Sequence, residues 1–207
     1  MQAAFTSGQD IHSATAAQVF HVAPEDVTHE MRRRAKAVNF GIVYGISDFS
    51  LSQDIGVTRA EAREYMEKYF EKYSGVHAYM TRVVEQAKEN GWVSTLMGRR
   101  RWLPELKSSN FNLRSFGERV ALNMPIQGTA ADIIKLAMIK VRDKLLSEGL
   151  EARLVLQVHD ELIVECPEVE AERVKALLEG EMEHVVELAL PLTAEAHAGR
   201  SWAEAKG

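Results

Sequence analysis

The sequence predicts an α+β protein, and three observations carry the prediction. Apolar residues recur at intervals of three and four through the first half of the chain, the period of amphipathic helices. Two short β-rich stretches, 92–102 and 154–165, each fold back on a turn, as antiparallel hairpins do. The chain has 207 residues, 46% of them hydrophobic and 27% charged, a globular composition long enough for a sizeable core in one large domain or two small ones.

Taken in order, the elements are punctuated as helix and strand chemistry requires. Thr28 is the expected N-cap of a helix that carries Arg32, Lys36 and Phe40. Thr58-Arg59-Ala60-Glu61 has capping-box spacing, and Ala62, Tyr65, Met66, Tyr69, Phe70 and Tyr73 follow as one apolar stripe that stops at Gly75. On the next helix Val76, Tyr79, Met80, Val83, Val84 and Ala87 share a face, and Gly91 stands where a left-handed cap belongs. These stripes are read as core packing. Residues 92–96 are strand-like, and 97–102 turn the chain with Arg99, Arg100 and Arg101 at the tip. Helix is expected from about 108 to 123, a break at Pro125, and helix again over 129–146 up to Gly149. A hairpin with His159, Asp160 and Glu161 at its bend comes next. An acidic amphipathic helix over about 168–188 then precedes Pro191 and a last apolar run, 192–196.

Charge and cysteine usage narrow the function. With 25 Lys and Arg against 30 Asp and Glu, the net charge is −5, so the chain as a whole is no polycation and any nucleic-acid contact must be local. Residues 1–150 carry +3 and residues 151–207 carry −8. The lone Cys166 excludes an internal disulfide, and no apolar run of about 18 residues offers a membrane span. The first eight residues lack the basic start and apolar stretch of a secretory signal. A soluble, cytoplasmic protein with no membrane partner is expected.

Three constellations carry chemistry. Arg32, Lys36, Phe40 and Tyr44 are four apart, and four residues turn about 400°, so they form one slowly drifting stripe of two cations followed by two aromatics. Such a stripe offers charge to phosphates at one end and a flat apolar surface to sugar and base at the other. The same spacing also suits a solvated basic edge beside ordinary core aromatics. His159-Asp160-Glu161 places two carboxylates on a tight bend, where an oxygen can face a divalent cation such as Mg²⁺, or simply water. A two-metal site needs carboxylates from at least one further segment. Arg114, Arg119, Asn123 and Gln127 present long polar side chains that could reach the groove acceptors of a duplex, or cap and pack helices near Pro125.

In these residues the chain resembles the bacterial DNA polymerase I type, or family A, DNA polymerases. Arg32-x3-Lys36-x3-Phe40-Gly41-x2-Tyr44-Gly45 resembles the family's fingers-helix motif, and Val158-His159-Asp160-Glu161 the second carboxylate motif of its palm. The stretch from Asn123 through Gln127 to Asp132, and Gly8-x-Asp10-Ile11-His12-x2-Thr15-Ala16, match as well, so four motifs in family order cover nearly the whole chain.

The resemblance implies a helical fingers subdomain over 1–106 and the C-terminal part of a palm over 107–207, an antiparallel sheet covered by helices. It implies that His12, Arg32 and Lys36 hold the phosphates of an incoming dNTP, that Phe40 and Tyr44 line its sugar and base, and that Lys36 serves as general acid. Asp160 would bind catalytic Mg²⁺ with Glu161 in support, and His159, Arg119, Asn123 and Gln127 would contact primer-template DNA. The family's first palm motif, an Asp-Tyr-Ser-type strand with the other essential aspartate, has no counterpart in these 207 residues. The expectation is therefore a polymerase fragment that is inactive alone and apt to self-associate. A non-catalytic DNA-binding or interaction module is the alternative, and a His-Asp phosphohydrolase is disfavoured by the strand-turn setting of His159.

Overall fold

The computed structural model of the chain describes residues 10–206, and it divides into two compact units, Met1–Ile126 and Gln127–Gly207. Gly8 of the first motif lies outside the described residues.

The first unit is mainly helical. It contains α1 (Ile11–Val19), α2 (His29–Val43), α3 (Asp48–Ile55), α4 (Arg59–Lys72) and α5 (Ser74–Asn90). Local chemistry explains their limits. Thr28 accepts from Met31 N at 3.2 Å, Ser47 from Ser50 N at 3.1 Å, and Thr58 with Glu61 forms the expected capping box. Gly56 and Gly91 close α3 and α5 in the left-handed conformation at φ +68° and +77°.

Two clusters make the core of this unit. Val38, Ile42, Leu51, Ile55, Ala62, Tyr69 and Tyr73 join α2, α3 and α4. Val83 and Ala87 of α5 pack instead with Val93, Leu103, Leu106 and Ala121. The apolar stripe of α5 thus serves both, because Val76 lies against the first cluster and Tyr79 against the second.

The hairpin at 92–102 forms, with β1 (Trp92–Ser94) antiparallel to β2 (Arg100–Trp102). Its tip differs from expectation: Arg100 and Arg101 are paired strand residues, and the turn is made by Leu96 and Met97. Gly98 at φ +85° lets the chain return, and the Arg100 guanidinium lies 4.2 Å from the centre of the Trp92 ring.

The larger correction concerns Pro125. One helix, α6 (Phe111–Ser147), runs through it without the expected break. Proline removes one N–H and crowds the carbonyl four residues before it, at a cost of about 3 kcal/mol in a helix interior. Packing on both sides carries the helix across: Ala121 and Leu122 are buried before the proline, Ala137 and Val141 after it. The division between the two units falls one residue beyond it.

In the second unit, β3 (Arg153–Val158) pairs antiparallel with β4 (Glu161–Glu165). The ladder shifts between Leu154 and Leu156, a bulge at the exposed Val155. Val141 and Leu145 of α6, Ala152, and Val174 and Leu177 of α7 (Ala171–Glu183) form the core, with Leu162 and Val164 of β4 against it. Helices therefore cover one face of an antiparallel hairpin, as the α+β prediction requires. The acidic helix stops at Glu183, short of 188, where Lys140 binds the terminal carbonyls of His184 and Val185 at 3.1 Å. Its acids are not all solvated: Glu179 and Glu183 accept the backbone N–H groups of Ala196 and Ala194 and so hold the last apolar run. A short helix, α8 (Trp202–Ala205), ends the described chain.

Candidate functional site

Helix α2 places Arg32, Lys36 and Phe40 on one side, and Tyr44 is its C-cap residue. The opposite side is the anchor: Ala35, Val38, Asn39 and Ile42 are buried. Phe40 is 46% exposed and Tyr44 40% exposed, so these are not ordinary core aromatics. Their rings stack at 6.3 Å between centroids, the Lys36 ammonium stands 5.9 Å from the Phe40 centroid, and the His12 ring lies 5.6 Å from Phe40. Sequence spacing alone brought four residues together; the fold adds His12 from α1.

The chain leaves α2 through Gly45 at φ +76°, where a β-carbon would stand 2.9 Å from Leu122 Cδ1. This close approach seats the aromatic end of the stripe against α6, with the Arg119 stem beside it. Gly41 is confined too, since a β-carbon there would meet Ile46 at 3.1 Å.

Electrostatics in this cluster are directional. Arg32 is bound by Asp10, and that guanidinium holds the Asp10 carboxyl well below the usual carboxylate range. Asp10 also accepts from His12 N at 3.0 Å and Ser13 Oγ at 2.7 Å, which fixes the start of α1. Burial, and then the positive charges of Arg32 and Lys36, push His12 toward its neutral form, while Asp10 pulls the other way.

The polar residues of α6 divide by role. Arg114 donates through Nη1 to the carbonyls of Ser108 and Ser109 at 2.9 and 3.3 Å and so closes its own helix entry. Arg119 is exposed, and Asn123, one turn on, has a buried carboxamide oxygen with no partner among the described residues. Gln127 opens the second unit and is exposed.

At the hairpin of the second unit, His159 and Asp160 are the two loop residues between the Val158–Glu161 pair. A two-residue hairpin needs positive φ at its first position, and His159 takes φ +53°. Gln157 donates to the His159 carbonyl at 2.6 Å and steadies the bend. Asp160 is exposed and has no polar partner among the described residues. Glu161 is engaged: it accepts from Trp202 Nε1 at 3.3 Å and pairs with Lys206 at 3.3 Å.

A divalent cation needs several hard oxygen ligands. This bend offers one uncommitted carboxylate, Asp160, beside a Glu161 already held by a cation. Among the described residues no group of three or more His, Cys, Asp or Glu is placed to hold a metal. Asp160 fits the role of a single ligand; a complete cage is not made by these residues.

A family model, DNA polymerase family A, matches residues 1–204. The chain belongs to that family. Over 203 residues, 98% of its length, it is 56% identical to DNA polymerase I of Geobacillus stearothermophilus and 57% identical to that of Bacillus subtilis (strain 168). The chain spans 23% of the length of each of these relatives. Among solved structures, the POL domain of Pol1 from M. smegmatis, in complex with DNA primer-template and dNTP, matches with a TM-score of 0.93 and 45% identity. That match covers 100% of this chain and 36% of the other. No helix among the described residues is long and apolar enough to cross a membrane.

Several further residues of this family A chain touch the candidate site residues. Asp10, Thr15 and Asn39 lie within the motif stretches, but the motif spacing assigns them no role of their own. A signal existed for Asn39, because it is the one polar residue on the buried face Ala35, Val38, Asn39, Ile42. Trp202 and Lys206 lie about 40 positions beyond Glu161, and nothing local announces their pairing.

Proposed function

We propose that these residues form the nucleotide-selecting helix and part of the primer-end site of a cytoplasmic DNA-directed DNA polymerase, which adds dNTPs to a primer 3′ end in replication and repair. The observation that carries the reading is the exposed stripe Arg32, Lys36, Phe40 and Tyr44, joined by His12 and backed by a buried face. Arg32, Lys36 and His12 bind the triphosphate, with Lys36 placed to give a proton to the departing pyrophosphate. Phe40 and Tyr44 shape the sugar and base contact, so a mispaired nucleotide fails to fill the site. The boundary between fingers and palm is drawn at 106/107.

His159, Arg119, Asn123 and Gln127 contact primer-template DNA in this reading, and His159, Arg119 and Gln127 are exposed. Asp160 contributes one carboxylate to catalytic Mg²⁺, which when bound neutralises charge on the reacting phosphates. Glu161 supports the bend by tying it to Trp202 and Lys206. Because these 207 residues hold no counterpart of the Asp-Tyr-Ser-type motif, the chain alone does not polymerise.

The decisive measurement is titration of the chain with a dNTP. Removal of a charge-assisted phosphate contact by Lys36→Ala is expected to weaken binding by about tenfold or more. Unchanged affinity would remove the stripe from the site.

A further inference from the structure

Behind the exposed rings runs a polar chain that nucleotide contact does not use. Asn39 is 7% exposed and Thr15 3% exposed. The Thr15 hydroxyl shares its one proton between the Ile11 carbonyl oxygen at 2.8 Å and Asn39 Oδ1 at 3.1 Å, and Asn39 Nδ2 lies 3.0 Å from His12 Nδ1.

The chemistry of the three groups sets a direction. A carboxamide donates only through nitrogen and accepts only through oxygen. With Oδ1 turned to the Thr15 hydroxyl, the amide nitrogen faces the imidazole and donates to it. Nδ1 must then present its lone pair, which leaves the proton of the neutral ring on Nε2. The charged groups facing this ring are Asp10 at the head of α1 and Arg32 and Lys36 on α2. The two cations oppose a second proton on the ring, and burial acts with them.

We propose that Asn39, braced by Thr15, is the positioning residue that holds His12 as the neutral imidazole with its proton on Nε2, so that His12 offers the incoming triphosphate a donor without having to be protonated. The proposal rests on the reading of His12 as a phosphate contact. Its physical sense is that one side of the nucleotide cradle keeps a hydrogen-bond donor at and above neutral pH, where an ordinary histidine in the other tautomer would turn a lone pair toward an anion.

The test is the nitrogen NMR spectrum of His12 in the full ¹⁵N-labelled chain, assigned by the signal lost in His12→Gln. The expected result above neutral pH is the Nε2–H tautomer. Asn39→Asp is nearly isosteric, but its carboxylate can only accept. It should move the proton to Nδ1 and raise the protonation midpoint of His12 by about one pH unit or more. Asn39→Ala should mix the tautomers and weaken dATP binding about fivefold.

A merely structural Asn39 would cost stability in both variants and leave the tautomer unchanged, and that result overturns the proposal. So does an Nδ1–H tautomer in the wild-type chain, a measurement that needs no variant to fold. Thr15→Val, which frees the carboxamide to turn over, should mix the tautomers as Asn39→Ala does. A wild-type chain that shows the Nε2–H tautomer yet binds no dATP overturns the nucleotide reading and leaves the Asn39 effect standing.

Discussion

At the scale of single residues, the cation proposed to meet a phosphate is already paired in the chain. Arg32 is held by Asp10, with the two side chains 44% and 37% exposed. An exposed ion pair is worth about 0.2–1 kcal/mol, so in the proposed reading a phosphate displaces Asp10 at little cost. Asp10→Asn keeps a capping side chain at the start of α1 but drops the charge. It should tighten dNTP binding about two- to fivefold, as read by titration beside the wild type. Gly45 is the other sensitive position. Alanine there meets both a left-handed backbone and Leu122 at 2.9 Å. Gly45→Ala should therefore destabilise the first unit by about 1–3 kcal/mol in urea or thermal melts.

At the scale of elements, helix ends were legible because their chemistry is local. The capping box at Thr58 and the left-handed Gly91 stand where the spacing put them. Long-range ties between elements were not legible. Asp48, in the first turn of α3, is bound by Arg59 and Arg63 of α4 at 3.0 and 2.9 Å. Hydrogen bonds from Arg59 and then Arg63 hold its pKa down at about 2, against an ordinary 3.8. The folded value lies below the unfolded one, so this clamp is fully stabilising above about pH 4 and is lost as pH falls toward 2. Asp48→Asn should melt below the wild type at neutral pH, and the gap should close in scans taken from pH 4 down to 2. Pro125 belongs to this scale as well. Its sequence signal, a helix break, is correct for an isolated helix, but buried residues on both flanks override it.

At the scale of the molecule, this family A chain spans 23% of the length of the curated relatives it matches, and the proposed reading has consequences that can be measured. Among the described residues Asp160 has no companion carboxylates placed to complete a metal cage, so primer extension by the purified chain with Mg²⁺ and four dNTPs should show no template-directed product. Val155 and Leu156 of β3 and Ile139 and Leu146 of α6 are each about half-exposed or more, and among the described residues β3 and β4 pair only with each other, which leaves one edge of each strand unpaired. Sedimentation should accordingly show concentration-dependent self-association with a second copy of the chain. The sequence by itself determined the helix periods, their caps, both hairpins and the order of the family motifs, because each depends on residues within a few positions of one another. Only the tertiary structure decided that Phe40 and Tyr44 are exposed, that Asn39 meets Thr15 and His12, that Asp10 occupies Arg32, and that Lys206 and Trp202 occupy Glu161. Burial and charge pairing are properties of neighbours distant in sequence, and no local pattern encodes which neighbours the folded chain will bring together.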